Sequence, residues 1–230
     1  MECDVGHQIF PGYPALLRPV SEILLIFFLL FGQMAPDRRV ENNTITSARD
    51  PEVKIHLPKS AVYLGSDRWV LYDMAACELH AFIDADSEKR VQRLYWVQFE
   101  AYVPTRPELH HLYDSPRHTK IGGLDFYVDT WVRARNADMR PGSDLEHVLR
   151  LIRSKGYQMP EGMMYVRLVH LLDEAKRKEL MIIYAEDLQP TGYKAGDLES
   201  QGHAHDHWPA IEKSLLERAQ SSVMIEPLGK

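Results

Sequence analysis

A chain of 230 residues, 45% hydrophobic and 26% charged, carries enough apolar material for one compact core. Its formal charge of −6 arises from 33 acidic and 27 basic residues spread along the chain, which leaves no basic surface for phosphates and argues against a nucleic-acid partner. Cys3 and Cys77 are the only cysteines, so no disulfide framework is readable and stability must come from the core.

Residues 1–50 read as a poorly structured N-terminal segment. Within it, 23–31 (ILLIFFLLF) is an apolar run of nine residues, against about twenty for a membrane helix. No spanning segment is expected. A signal-peptide core needs roughly seven to fifteen apolar residues, but Glu2 and Asp4 precede this one, Arg38 and Arg39 follow it, and no small-x-small cleavage site is near. Two readings stay open: a degraded export signal, or a start at Met34 that leaves the protein cytoplasmic. The polar stretch 36–51 reads as a linker, so a single domain is expected over 51–225, opening near Val53.

Short apolar or alternating runs at 69–72 and 77–84 predict strands. The stretch 91–103 alternates Val91, Tyr95, Val97, Phe99, Ala101 and Val103 with Gln92, Trp96, Gln98, Glu100 and Tyr102, the pattern of a long half-buried strand ended by Pro104 and Pro107. A loop rich in His, Asp and Pro follows. Gly122-Gly123 then opens a strand with Leu124, Phe126, Val128, Thr130 and Val132 on one face and Asp125, Tyr127, Asp129, Trp131 and Arg133 on the other. A polar and aromatic second face on two strands suggests that one side of the sheet meets solvent or a pocket.

Ser143 and Glu146 fit a capping box before a helix carrying Leu145, Val148, Leu149 and Ile152, with Gly156 as its C-terminal stop. The runs 163–172 and 179–187 flank a charged turn and predict an antiparallel hairpin. Asp206 is placed to cap a last helix with Trp208, Ile211, Leu215 and Ala219 on one face. Strands, helix, hairpin and helix in that order imply an α+β fold: a mainly antiparallel sheet with two helices packed on one face.

Three constellations could carry chemistry. The first is the loop cluster His110, His111 and His118 with the strand carboxylates Asp125 and Asp129, a histidine–aspartate set for acid–base catalysis. The second is Gly202-His203-Ala204-His205-Asp206-His207, whose imidazoles at His203, His205 and His207 are of the type that binds a divalent metal. The third is the aromatic and polar stripe Trp96, Gln98, Glu100, Tyr102, Tyr127, Trp131 and Arg133, which would line a concave patch if its two strands are neighbours. Cys77 and Ser115 lack a nucleophile context, and no phosphate-binding glycine loop occurs.

The leading expectation is a domain that binds a small amphipathic molecule or a protein surface through the stripe, with no cofactor. The alternative is a metal-assisted hydrolase or lyase using the loop histidines and strand aspartates with a divalent metal. A purely structural interaction module follows if the sheet face is covered.

Overall fold

The computed structural model describes residues 38–228, all within the unit spanning 34–230. Cys3 and the apolar run at 23–31 lie outside the described residues. Eleven strands form two antiparallel sheets. The smaller contains β1 (Arg38–Glu41), β2 (Thr44–Ala48), β3 (Glu52–His56) and β11 (Met224–Pro227), in that order across the sheet. The larger is built from β4 (Val62–Leu71), β5 (Ala75–Ala85), β6 (Val91–Tyr102), β7 (His118–Ile121), β8 (Leu124–Ala134), β9 (Gly162–Leu171) and β10 (Lys178–Asp187). Its spatial order is β4-β5-β6-β10-β9-β8-β7.

The stretch 36–51, expected to be a linker, supplies β1 and β2, joined at Asn42 and Asn43, both with positive φ. Asparagine tolerates that conformation, and the turn brings Glu41 opposite Thr44. The long strand, the hairpin β9–β10 and the helix over 144–154 form where the pattern places them. What periodicity misses are the short elements β3, β7 and β11, each of four or five residues.

The fold is α+β and mainly antiparallel, as expected. The two longer helices, α1 (Asp144–Ser154) and α3 (Trp208–Ser222), take opposite faces of the large sheet rather than sharing one. Val148 and Ile152 of α1 pack with Leu79, Ile83, Leu94, Trp96, Tyr165 and Ile183. Leu215 and Ala219 of α3 join Phe82, Val97, Phe126, Leu168 and Ile182, together with Ile45, Ile55 and Ile225 of the small sheet. Successive strand residues point to opposite faces, so these sets of opposite parity are two cores on either side of one sheet. No sheet face is left for solvent along the central strands, and β10 is buried from Glu179 to Asp187.

The caps differ from the expected motifs. Ser143 is the N-cap of α1 but its side chain makes no capping bond; Glu146 instead accepts the Gly142 amide at 2.5 Å. Asp206 lies inside a 3-10 turn (His205–His207), and α3 starts one residue later, with His207 as N-cap and Pro209 in the first turn. Proline there loses nothing, since the first amides of a helix have no partner. Among the described residues no helix is long and apolar enough to cross a membrane.

Gly122 and Gly123 make the two-residue β7–β8 turn with φ of +58° and +83°. A Cβ at Gly122 would sit 2.1 Å from the carbonyl oxygen of Ile225 in β11, whereas one at Gly123 meets nothing within 4 Å. Urea denaturation of Gly122→Ala should therefore show a loss of about 3 kcal/mol or more, and Gly123→Ala only about 1 kcal/mol of backbone strain. Equal losses would mean that the close approach of turn and β11 contributes nothing.

A candidate acid and imidazole centre

Register brings together what the sequence keeps apart. Glu100 of β6 and Glu179 of β10 are direct cross-strand partners, and Cys77 of β5 faces Glu100 from the other side. All three point to the α1 face. Two carboxylates opposite each other on adjacent strands place their Cβ atoms about 5 Å apart, an arrangement that destabilises a sheet unless something lies between them. Here the cost is raised by burial, since Glu179 is 3% exposed.

The loop at 103–117 brings the rest. Arg177, in the β9–β10 turn, donates to five loop carbonyls, those of Tyr102, Val103, Arg106, Pro107 and Leu109. The His111 amide bonds Lys176 O at 2.7 Å. Thus fixed, His111 lies 4.5 Å from the Tyr102 ring and places Nδ1 3.0 Å from Glu179 Oε2, while Tyr113 donates its hydroxyl to the same oxygen at 2.7 Å. His111 is 5% exposed, and its Nε2 has no hydrogen-bond partner among the described residues. On the other side, Glu100 Oε2 accepts Gln98 Nε2 at 3.1 Å and the Cys77 thiol at 3.4 Å. Trp96 Nε1 completes the row by donating to Gln98 Oε1 at 3.0 Å.

The electrostatics follow from the count of carboxylates. Burial, then the Glu179 and Asp144 carboxylates, push Glu100 up to about 7. Asp144, at the start of α1, is raised by its burial and by Glu179, and its Oδ1 is also unpartnered. Burial and the neighbouring carboxylates drive the Cys77 thiol strongly up, so it stays protonated. Two groups of candidate metal ligands share Glu100: Glu100, His111 and Glu179, and Cys77, Glu100 and Asp144, with ligand atoms inside each group within 4.8 Å of one another.

The residues expected to form the stripe share the α1 face but not a patch. Between β6 and β8 lie β10 and β9, so their side chains are about 14 Å apart. Trp96 and Gln98 are buried. Tyr102 lines one cavity, of about 260 Å³, with His111, Tyr113, Asp129 and Arg167. Glu100 lines a second, of about 480 Å³, with Cys77, Trp69 and Phe99. Arg133 lines a third with Tyr165, onto which Trp131 stacks at 5.0 Å, and Tyr127 lies 5.8 Å from Tyr113.

Of the expected histidine–aspartate set, His111 and Asp129 reach one cavity, although Asp129 is ion-paired to Arg167 at 2.6 Å. His110 is exposed against Glu108 O, His118 lies tilted 4.5 Å from the Tyr127 ring, and Asp125 is exposed beside Lys120. The histidines of the 203–207 segment diverge. His203 lies 3.5 Å from Asp197, His205 bonds Leu198 O at 3.0 Å, and His207 stacks on Tyr193. Neither candidate ligand group includes them. Tyr113 falls in the polar loop cluster that the sequence marks, but sequence reasoning passed over Glu179 and Asp144; for Glu179 the available signal was a glutamate opening the otherwise apolar run ELMIIYA.

A carboxyl held near 7 in the fold and at 4.5 in the unfolded chain opposes folding increasingly as the unfolded chain ionises it, and in full above 7, where both states are ionised. Both states are protonated below the unfolded value, so in metal-free buffer stability should fall as pH rises from about 4.5 to 7, by roughly 3 kcal/mol. Glu100→Gln removes that slope and should be the more stable protein at pH 8. Parallel denaturation curves of the two proteins across this window would refute the raised carboxyl.

No family model, curated protein or solved structure matches the chain, so the functional reading rests on the geometry of the site.

Proposed function

We propose that the protein is a metal-dependent hydrolase whose divalent cation is held by Glu100, Glu179 and His111. The observation that carries this reading is the pair of opposed carboxylates, Glu179 buried and Glu100 half-buried, with a 5% exposed imidazole whose Nε2 is unpartnered. A cation between them turns the repulsion into attraction and gives the imidazole a partner. Two carboxylate oxygens and one imidazole nitrogen suit Zn²⁺ or Mn²⁺ better than Mg²⁺, which prefers an all-oxygen octahedron. Tyr113, donating to Glu179, orients that ligand.

Three ligands leave coordination positions for water and substrate. The cavity of about 260 Å³ lined by Tyr102, His111, Tyr113, Asp129 and Arg167 opens beside these ligands and has room for a small polar ester, whereas the cavity of about 480 Å³ that Glu100 also touches is lined largely by charged groups, Arg38, Arg49, Asp50, Arg68, Glu78 and Lys178. Held there, the cation would supply an activated water and charge for the developing oxyanion of an ester carbonyl, while Asp144 would take the water's proton and return it to the alkoxide that leaves as the C–O bond breaks.

Calorimetric titration of the full chain with Zn²⁺ and Mn²⁺ should give one saturable site. Glu179→Gln and His111→Ala should each weaken it at least a hundredfold, whereas the triple change His203→Ala, His205→Ala and His207→Ala leaves it intact. Hydrolysis of p-nitrophenyl esters should require the cation and fall with the same two variants. Binding that survives Glu179→Gln and disappears in the triple variant would overturn the site, and a bound cation without ester hydrolysis would overturn the reaction.

A further inference from the structure

At the other end of the large sheet, about 20 Å along β10 from Glu179 by strand rise, a cavity of about 310 Å³ opens between α1, β9 and the loop that follows β8. Its floor is Met163 and Tyr165 and one wall is Leu145 and Leu149. Three arginines line it, Arg133, Arg135 and Arg153, and no carboxylate does. We propose that this cavity binds a straight-chain monocarboxylate, with the acyl chain on the methionine and tyrosine floor and the carboxylate on Arg153. This reading does not depend on the metal centre.

The choice of head group follows from how the arginines are engaged. Arg133 donates to the carbonyls of Ala137 and Asp138, and Arg135 pairs with Glu161 and bonds Met159 O. The Arg153 guanidinium has neither an ion pair nor a hydrogen bond among the described residues, so one planar fork is available for one carboxylate. A phosphate dianion would have to displace the bonds of the other two.

The local charge still favours an anion. Three guanidiniums outweigh Glu161 and the roughly half negative charge at the C-terminus of α1. Methionine suits a flexible chain, since its unbranched side chain adapts to irregular contacts. Of the residues that the sequence pattern marks for ligand binding, Arg133 lines this cavity and Trp131 stands one ring behind it through Tyr165.

Octanoate titrated into the full chain, with chelator present, should bind saturably at one site. Octanol, equal in length but uncharged, should bind at least tenfold more weakly, and Arg153→Glu, an exposed position, should lose tenfold or more for octanoate. Glu179→Gln should bind octanoate as the parent does, which separates this site from the cation centre. Equal affinity for octanol, unchanged binding in Arg153→Glu, or no saturable octanoate binding would each overturn the proposal.

Discussion

Burial of both faces of the strands β6 and β10 is the constraint from which the rest of the structure follows. A sheet covered on one side can send every second residue to water, but here α1 lies on one face while α3 and the small sheet lie on the other. The central strands must then be apolar at both parities, as in the run LMIIYA of β10. Any polar residue at those positions has to find its partners inside the protein.

The chain meets that demand in two opposite ways. On the α3 face, Glu78 has two opposite charges beside it, Arg38 at 3.1 Å and Arg68 at 3.3 Å, and a hydrogen bond with His80 Nε2 at 3.1 Å. Burial pushes its carboxyl up, but His80 and Arg38 outweigh that and hold it below the usual range. On the α1 face Glu100 has the reverse company: burial first, then the Glu179 and Asp144 carboxylates, raise it. The charge environment thus separates a carboxylate that is held ionised and ties β1 to the large sheet from one that is raised among other carboxylates.

Placement of the imidazole depends on two neighbours in one turn, the Lys176 carbonyl that accepts the His111 amide and the Arg177 side chain. Loop 103–117 is irregular, yet His111 and Tyr113 reach Glu179 because the Arg177 guanidinium gathers carbonyls along the loop. Arginine suits this role, since its fixed fork satisfies several acceptors for one ordered side chain. The charged turn 173–178, which by composition is a solvated connection, thereby orders the loop that carries the candidate site.

The sequence by itself determined the α+β class, the long strands, the β9–β10 hairpin and the helix over 144–154, because periods of 2 and 3.6 residues are written into short windows. It also marked His111 and Arg133 as chemically useful, though among neighbours that the fold disperses. The tertiary structure alone decided which strands adjoin. Glu100 and Glu179 meet through a register between strands 79 positions apart in the chain, and the Trp96 and Trp131 strands are separated by a hairpin that comes later in sequence. Pairing across such distances is set by the joint burial of all seven strands, which no local window contains.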